Sequence, residues 1–416
     1  MSTLSQKQMK AARFGWIFFD WASSPVPTLH ATFVFAVYFT TVIMPDGGST
    51  AWAWMSGSAA LLVALAAPFA GRFADNKGRI KSCLVGSLLV GAAATAALWW
   101  ATPDSGSIRL ALSFSLVSIF AMEISFVFYN AMLARLAPPD SIGKMSGISW
   151  GIGYAGAIVA LVLVLAVLIL PDVPPFGLDK QAAEPVRAAM VFAGLWALLF
   201  SLPMMLFVPS LPATPQTGRL FTQFVASCKT AAAIPDMLRF LLARMAFNDG
   251  LVTLFAFGGI YAARVFDFTQ TEILAFAILL NITAGVGAAA GGWADDRFGS
   301  LTTLRIALWG LLLFGLVAIL APSKPVFWIV GAMLGIFVGP CQAAARSWMA
   351  RHTPDADKAS LFGLYMVSGK LTSFAGPFCY GLLVLATGSD RVGMAIVLLL
   401  VGLGIILLPG RGQKAA

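Results

Sequence analysis

Gly71–Lys81 reads GRFADNKGRIK. It is a short charged turn with two glycines, set between two long apolar runs. The chain echoes it 220 positions later, where Gly291–Gly299 reads GGWADDRFG. Ala74-Asp75 falls on Ala294-Asp295, Phe73 on Trp293 and Lys77 on Arg297. A repeat at that distance divides the 416 residues into two similar halves, each carrying the turn after its second apolar run.

Composition sets the solvent. The hydrophobic fraction is 59% and the charged fraction 11%, which no soluble globular class matches. A membrane helix needs roughly 20 apolar residues. Twelve such runs are present: Phe14–Ile43, Ala51–Ala74, Ser82–Thr102, Ile108–Leu136, Ser146–Leu170, Arg187–Val208, Met237–Ala263, Glu272–Ala294, Thr302–Ala321, Pro325–Ala350, Ser360–Thr387 and Val392–Leu408. Backbone groups in lipid must pair internally, so runs of this length are helices rather than barrel strands. The expected fold class is an all-α integral membrane protein of twelve transmembrane helices. Residues 1–208 form one six-helix bundle, 209–236 a linker and 237–416 the second bundle.

Only Arg109, Lys180, Arg187, Arg264, Lys324 and Arg391 fall in turns on one side, and Arg244 and Lys370 fall within spans. The rest of the 27 lysines and arginines lie on the side of the termini, which places both termini in the cytoplasm. The net charge of +9 therefore marks topology, not nucleic-acid binding. Cys83, Cys228, Cys341 and Cys379 are scattered, and two histidines cannot make a ligand cluster, so no metal or cofactor is expected. The run from Phe14 is too long for a cleavable signal. In the linker, Leu220, Phe221, Phe224, Val225 and Cys228 share a helical face, as in a short interfacial helix.

Charge inside a membrane costs roughly 2.5–3.5 kcal/mol on insertion scales, so each such residue is a candidate. Asp20 lies about 10 Å into the first span, reckoned from Phe14. Glu123 lies near the middle of the fourth with no other charge within ten residues, the position of a proton carrier. Asp249, with Asn248 and Gly250, is mid-span in the seventh, where a loosened backbone can meet a substrate. Lys370, near the middle of the eleventh, could pair with Asp249 or Asp20 or receive a carboxylate. Arg244 is shallower and can snorkel. Arg135 and Arg346 end the fourth and tenth spans and serve topology. His30 follows Pro25 and Pro27, which kink the first span, and could titrate as a gate. Asn130, Asn281 and Gln342 can line a cavity, and Trp21, Tyr129, Trp150 and Tyr365 can cap a pocket.

Two six-helix halves with GxxxDxxGR-like turns resemble the major facilitator superfamily. The first turn keeps Gly71, Asp75, Gly78 and Arg79 and departs at Asn76 and Ile80; the second keeps Gly291, Asp295 and Arg297. The resemblance implies that these turns latch the cytoplasmic side. Gly71 would allow close helix approach, Asp75 would accept from a helix N-terminus, and Arg79 would hold the opposing bundle or lipid phosphates.

Phe18–Ser24 (FFDWASS) is similar to the DWANS-type first helix of the UMF1 group, with Ser23 where asparagine is usual. That group includes the Atg22-like vacuolar amino-acid effluxers. Phe128–Ala131, Phe247–Gly250, Gly363–Tyr365, Gly369-Lys370, Gly376-Pro377 and Ser146-Gly147 with Gly151, Gly153 and Gly156 extend the likeness. It implies a solute site between spans one, four, seven and ten, with eleven nearby. The expectation is a secondary transporter, a symporter in a cytoplasmic inner membrane. It would move a small polar organic solute, with amino acids one class, coupled to protons. Partners are the solute, H+ and membrane lipids, with no nucleic acid and a monomeric chain. No P-loop and no nucleophile–base or metal spacing is present, so neither ATP drive nor an enzyme is expected. A lipid flippase and a non-transporting receptor or scaffold are the rival classes.

Overall fold

The computed structural model describes residues 5–210 and 220–410. Its regular structure is helical, with no strand among the described residues. Twelve spans are long and apolar enough to cross a membrane: Gln6–Ile43, Gly48–Lys77, Ile80–Trp100, Ser105–Leu136, Pro139–Ile169, Glu184–Phe207, Met237–Phe266, Ala275–Phe298, Ser300–Leu320, Lys324–His352, Asp355–Thr387 and Asp390–Leu407. Side chains such as Leu385, 85% exposed, face outward, as they must where lipid is the solvent.

Several spans extend past their apolar runs because polar turns cap them. The first starts at Gln6: Ser5 Oγ accepts from the Gln8 N–H, and the Gln8 side chain accepts from the Ser5 N–H. The second runs through the charged turn to Lys77. It stops at Gly78, whose φ of +61° is left-handed and free of strain only for glycine. Before the eighth span, Thr269 caps a helix in the same way. There Glu272 is held below its usual carboxyl range, first by the Thr269 backbone N–H and then by Lys324.

Two spans are irregular at depth. Beyond Pro25 the first widens into π-helical turns at Pro27–Phe33 before closing again. The eleventh is broken: Lys358–Lys370 is one helix, Ala375–Thr387 a second, and residues 371–374 form a turn between them. Pro377 accounts for the break. It has no N–H to give the Ser373 carbonyl, and its ring crowds that carbonyl.

Each set of six spans packs on itself, and the two sets meet chiefly along two helix pairs, fifth against eighth and second against eleventh. A shift of six spans carries one pair onto the other, so this is one contact made twice. Both need glycine. A Cβ at Gly71 would strike the Ala359 carbonyl of the eleventh span, and one at Gly147 the Ala288 carbonyl of the eighth.

The Leu220–Ala233 helix packs against the second, seventh and eleventh spans, with Ser227 and Ala231 buried. The face expected to meet lipid is described only in part: Val225 is exposed and Cys228 half-buried, while the side chains of Leu220, Phe221 and Phe224 lie outside the described residues. This helix is docked on protein.

Candidate functional site

Polar contacts close the face that carries the termini. Asp75 accepts from the Ala359 and Ser360 N–H groups at 3.2 and 2.9 Å, capping the first helix of the eleventh span. Arg72 Nη1 meets Asp357 Oδ1 at 2.5 Å beside it. Across the pseudo-twofold, Asp296 accepts from the Gly143 and Lys144 N–H groups, both at 2.7 Å, capping the fifth span. A carboxylate on a helix N-terminus satisfies orphan N–H groups and opposes the dipole.

Two expectations are corrected here. Arg79 and Arg297 do not reach the other bundle: both are exposed, and Arg297 lies over the Trp293 and Phe298 rings. Arg72, one helical turn before Asp75, takes that role, because Gly78 ends the helix and Arg79 lies beyond it. Asp295 packs on Gly143 of the other bundle but bonds within its own, to Ser300, Ser347 and Arg351, and its neighbour Asp296 makes the cross-bundle cap. The receiving turns are a second repeat that the sequence offered: Arg135–Gly147 reads RLAPPDSIGKMSG and Arg351–Gly363 reads RHTPDADKASLFG. In register, Gly143-Lys144 falls on Ala359-Ser360.

A buried ion pair lies deeper. Arg346 Nη1 is 3.4 Å from Asp20 Oδ2, with side chains 3% and 6% exposed. Arg346 also donates to Ser146 Oγ at 2.9 Å and to the Ser146 carbonyl at 2.7 Å. Ser149 Oγ donates to Asp20 Oδ2 at 2.5 Å and pairs with the Tyr129 hydroxyl. Trp16, Tyr129 and Trp150 box the guanidinium, their ring centroids 5.1–5.6 Å from its carbon. Arg346 thus ties the tenth span to the first and fifth. It is not the topology signal expected from its place near a span end.

At mid-span, Lys370 Nζ meets Glu123 Oε1 at 2.7 Å, with side chains 27% and 29% exposed. The pair joins the fourth span to the eleventh at the last residue before the break. Glu123 is therefore not isolated, and Lys370 takes neither Asp249 nor Asp20. The seventh span braces the break from behind. Arg244 donates to the Tyr365 carbonyl at 2.5 Å and Ser368 Oγ at 2.8 Å, and stacks 3.5 Å over the Tyr365 ring. Asn248 Nδ2 donates to the Gly369 carbonyl at 2.9 Å. Arg244 is buried under the eleventh span instead of snorkelling to the face.

The other expected residues lie apart. His30 Nε2 bonds Ser115 Oγ at 2.8 Å within the first bundle, against Phe35 and Trp52. Trp21 stacks on Trp196, and its carbonyl accepts from the Trp196 indole. Asn130 is buried and Gln342 half-buried, and neither joins the ion pairs. A cavity of about 330 Å³ lies in the half of the molecule away from the termini, lined by Thr28, Tyr154, Phe276, Asn281 and Phe327 among others. Its walls are mainly aliphatic and aromatic, and neither Glu123 nor Lys370 lines it.

Two bundles closed on one face, with paired charges at mid-depth between them, define the architecture of the major facilitator superfamily. Solved structures agree on the fold. The fucose:proton symporter FucP in its outward conformation superposes with a TM-score of 0.73 at 17% identity, covering 97% of this chain and 99% of that one. A bacterial homologue of the iron transporter ferroportin, outward-facing, gives 0.70 at 14% identity, covering 96% and 98%. Within that class, the chain belongs to the vacuole effluxer Atg22-like family, whose model matches residues 140–410. It is 24% identical over 405 residues to the uncharacterized MFS-type transporter YxiO of Bacillus subtilis, covering 94% of this chain and 93% of that one. Autophagy-related protein 22-1 of Sclerotinia sclerotiorum is 26% identical over 298 residues, but these span only 49% of that longer protein.

Proposed function

We propose that this chain is a secondary transporter that carries a small polar solute bearing both an ammonium and a carboxylate, an amino acid being the simplest, by alternating access coupled to protons. The Glu123–Lys370 pair carries this reading. It is half-wet, lies at mid-depth, and draws one charge from each bundle. A zwitterion can replace it group for group, its carboxylate on Lys370 and its ammonium on Glu123. Exchanging one ion pair for two keeps every charge matched. The solute then becomes the link between bundles that residues 370 and 123 otherwise form directly. The bundles of residues 1–208 and 237–416 would rock about the 209–236 linker, with the caps at Asp75 and Asp296 as the latch of one state. The lysine and arginine bias supports a cytoplasmic membrane with both termini inside.

Uptake of labelled amino acids into proteoliposomes tests this. Glu123→Gln and Lys370→Ala should each lower uptake at least about tenfold, equivalent to about 1.4 kcal/mol. The exchanged pair Glu123→Lys with Lys370→Glu should recover part of it. Full uptake by either single variant removes the site. The apolar cavity favours a second reading, an amphiphile carrier or flippase. Scrambling of labelled lipid with no amino-acid uptake would select it.

A further inference from the structure

Asp249 faces the break in the eleventh span. Its side chain is almost wholly buried, the residue 3% exposed, and among the described residues Oδ1 meets no well-aligned hydrogen-bond donor. Thr372, in the break, brings a buried hydroxyl beside the carboxyl that is also without a bond of good geometry. Gly376 packs on the Asp249 carbonyl and on Thr253, so the two spans touch here.

The charged groups around Asp249 are committed elsewhere. Arg244, on the same span, is spent on the Tyr365 carbonyl and Ser368. Lys370, at the edge of the break, is spent on Glu123. On the tenth span Arg346 is held by Asp20 and Ser146. The twelfth span presents no ionisable side chain between Arg391 and its end at Leu407. The eighth has none between Glu272 and Asp295. Among the described residues a carboxylate at this depth has no counter-ion and only the poorly aligned Thr372 hydroxyl beside it, and burying a charge in that state is strongly unfavourable. The missing positive charge must come from solution.

We propose that Asp249 is the proton-binding site of this transporter. A proton entering from the open face converts the carboxylate to a neutral acid, whose O–H can donate to Thr372 Oγ1. Release on the other face restores the carboxylate, which must then be hydrated and pries the seventh span from the break. Thr372 is two residues from Lys370, so this movement reaches the Glu123–Lys370 pair directly. The proton site stands on burial and missing partners alone; its role in coupling rests on the transport reading above.

Infrared spectroscopy of the purified full-length protein across a pH series tests the site without any solute. One component of the protonated-carboxyl stretching band should titrate in the wild type, be lost in Asp249→Asn and persist in Glu123→Gln and Asp75→Asn. Thr372→Val should keep the band and displace its midpoint. Asp249→Asn should also melt within a few degrees of the wild type, since it mimics the neutral acid. A band unchanged in Asp249→Asn, or one abolished by sodium chloride but not choline chloride, overturns the proposal. In proteoliposomes Asp249→Asn should lose pH-driven accumulation at least tenfold more than it loses exchange; equal losses overturn the coupling role. If wild-type vesicles move no amino acid at all, the transport reading falls, and the infrared titration still decides the proton site.

Discussion

Glu123–Lys370 and Asp20–Arg346 both join the bundles, but their surroundings give them different work. The first pair is more than a quarter exposed, so water screens it, and it adds only about 0–1 kcal/mol to stability. Glu123→Gln should therefore abolish most uptake while moving the melting temperature little. The second pair is 3% and 6% exposed. Removing Arg346 leaves the buried Asp20 carboxylate with the Ser149 hydroxyl but without its cation, at a cost of about 3–5 kcal/mol. Arg346→Leu should lower the melting temperature sharply. Adding Asp20→Asn should restore part of the loss, because the orphaned carboxylate goes with it. A double-mutant cycle by thermal melting in detergent measures this coupling; simple additivity would mean that the pair does not interact. Depth in the sequence marked Asp20 and Glu123 as costly. It could not choose their partners, which lie 326 and 247 residues away.

At the scale of the element, the eleventh span decides the site. Gly369 and Gly376-Pro377 were visible in the chain, but a break at this depth also needs donors for the carbonyls it frees. Asn248 supplies one to the Gly369 carbonyl and Arg244 ties down the helix before the break at Tyr365 and Ser368, both from the seventh span, which is why a motif that looked like substrate-binding polarity is largely a brace. Two consequences follow from the local chemistry. Asn248→Ala strands the Gly369 carbonyl and should cost about 1–3 kcal/mol, read as a fall in melting temperature. Pro377→Ala returns an N–H to the Ser373 carbonyl and lets the two helices of this span fuse. Pro377 stands in the first turn of its helix, where proline costs little, so this variant should melt near the wild type yet transport less, since a straight helix moves Lys370 from Glu123. Undiminished uptake would show that the break is not needed for turnover.

The whole molecule was legible where one physical rule dominates. Hydrophobic runs gave the twelve spans, and the Gly71 and Gly291 turns gave the halves. The closed face was read only in outline. Helix register, not motif position, decides which charges reach across: Arg72 shares a face with Asp75, while Arg79 lies past the left-handed turn at Gly78. In the second half the cap has moved one residue, from Asp295 to Asp296. The two caps should hold this face shut together. Each sets a carboxylate on a helix N-terminus, worth about 0.3–1 kcal/mol and up to about 2 when partly buried. They lie on separate helix contacts, so their effects should add. Spin labels at the exposed positions Arg79 and Arg297, which make no ion pair among the described residues, would report the width of the face. Asp75→Asn or Asp296→Asn alone should add a minor population at longer distance, because the amide keeps the shape and loses the charge. The double variant should enlarge that population by about the product of the two single effects, as additive free energies require. A double variant no more open than either single one would mean that a single cap holds the face, and that the pseudo-twofold is not shared in energy.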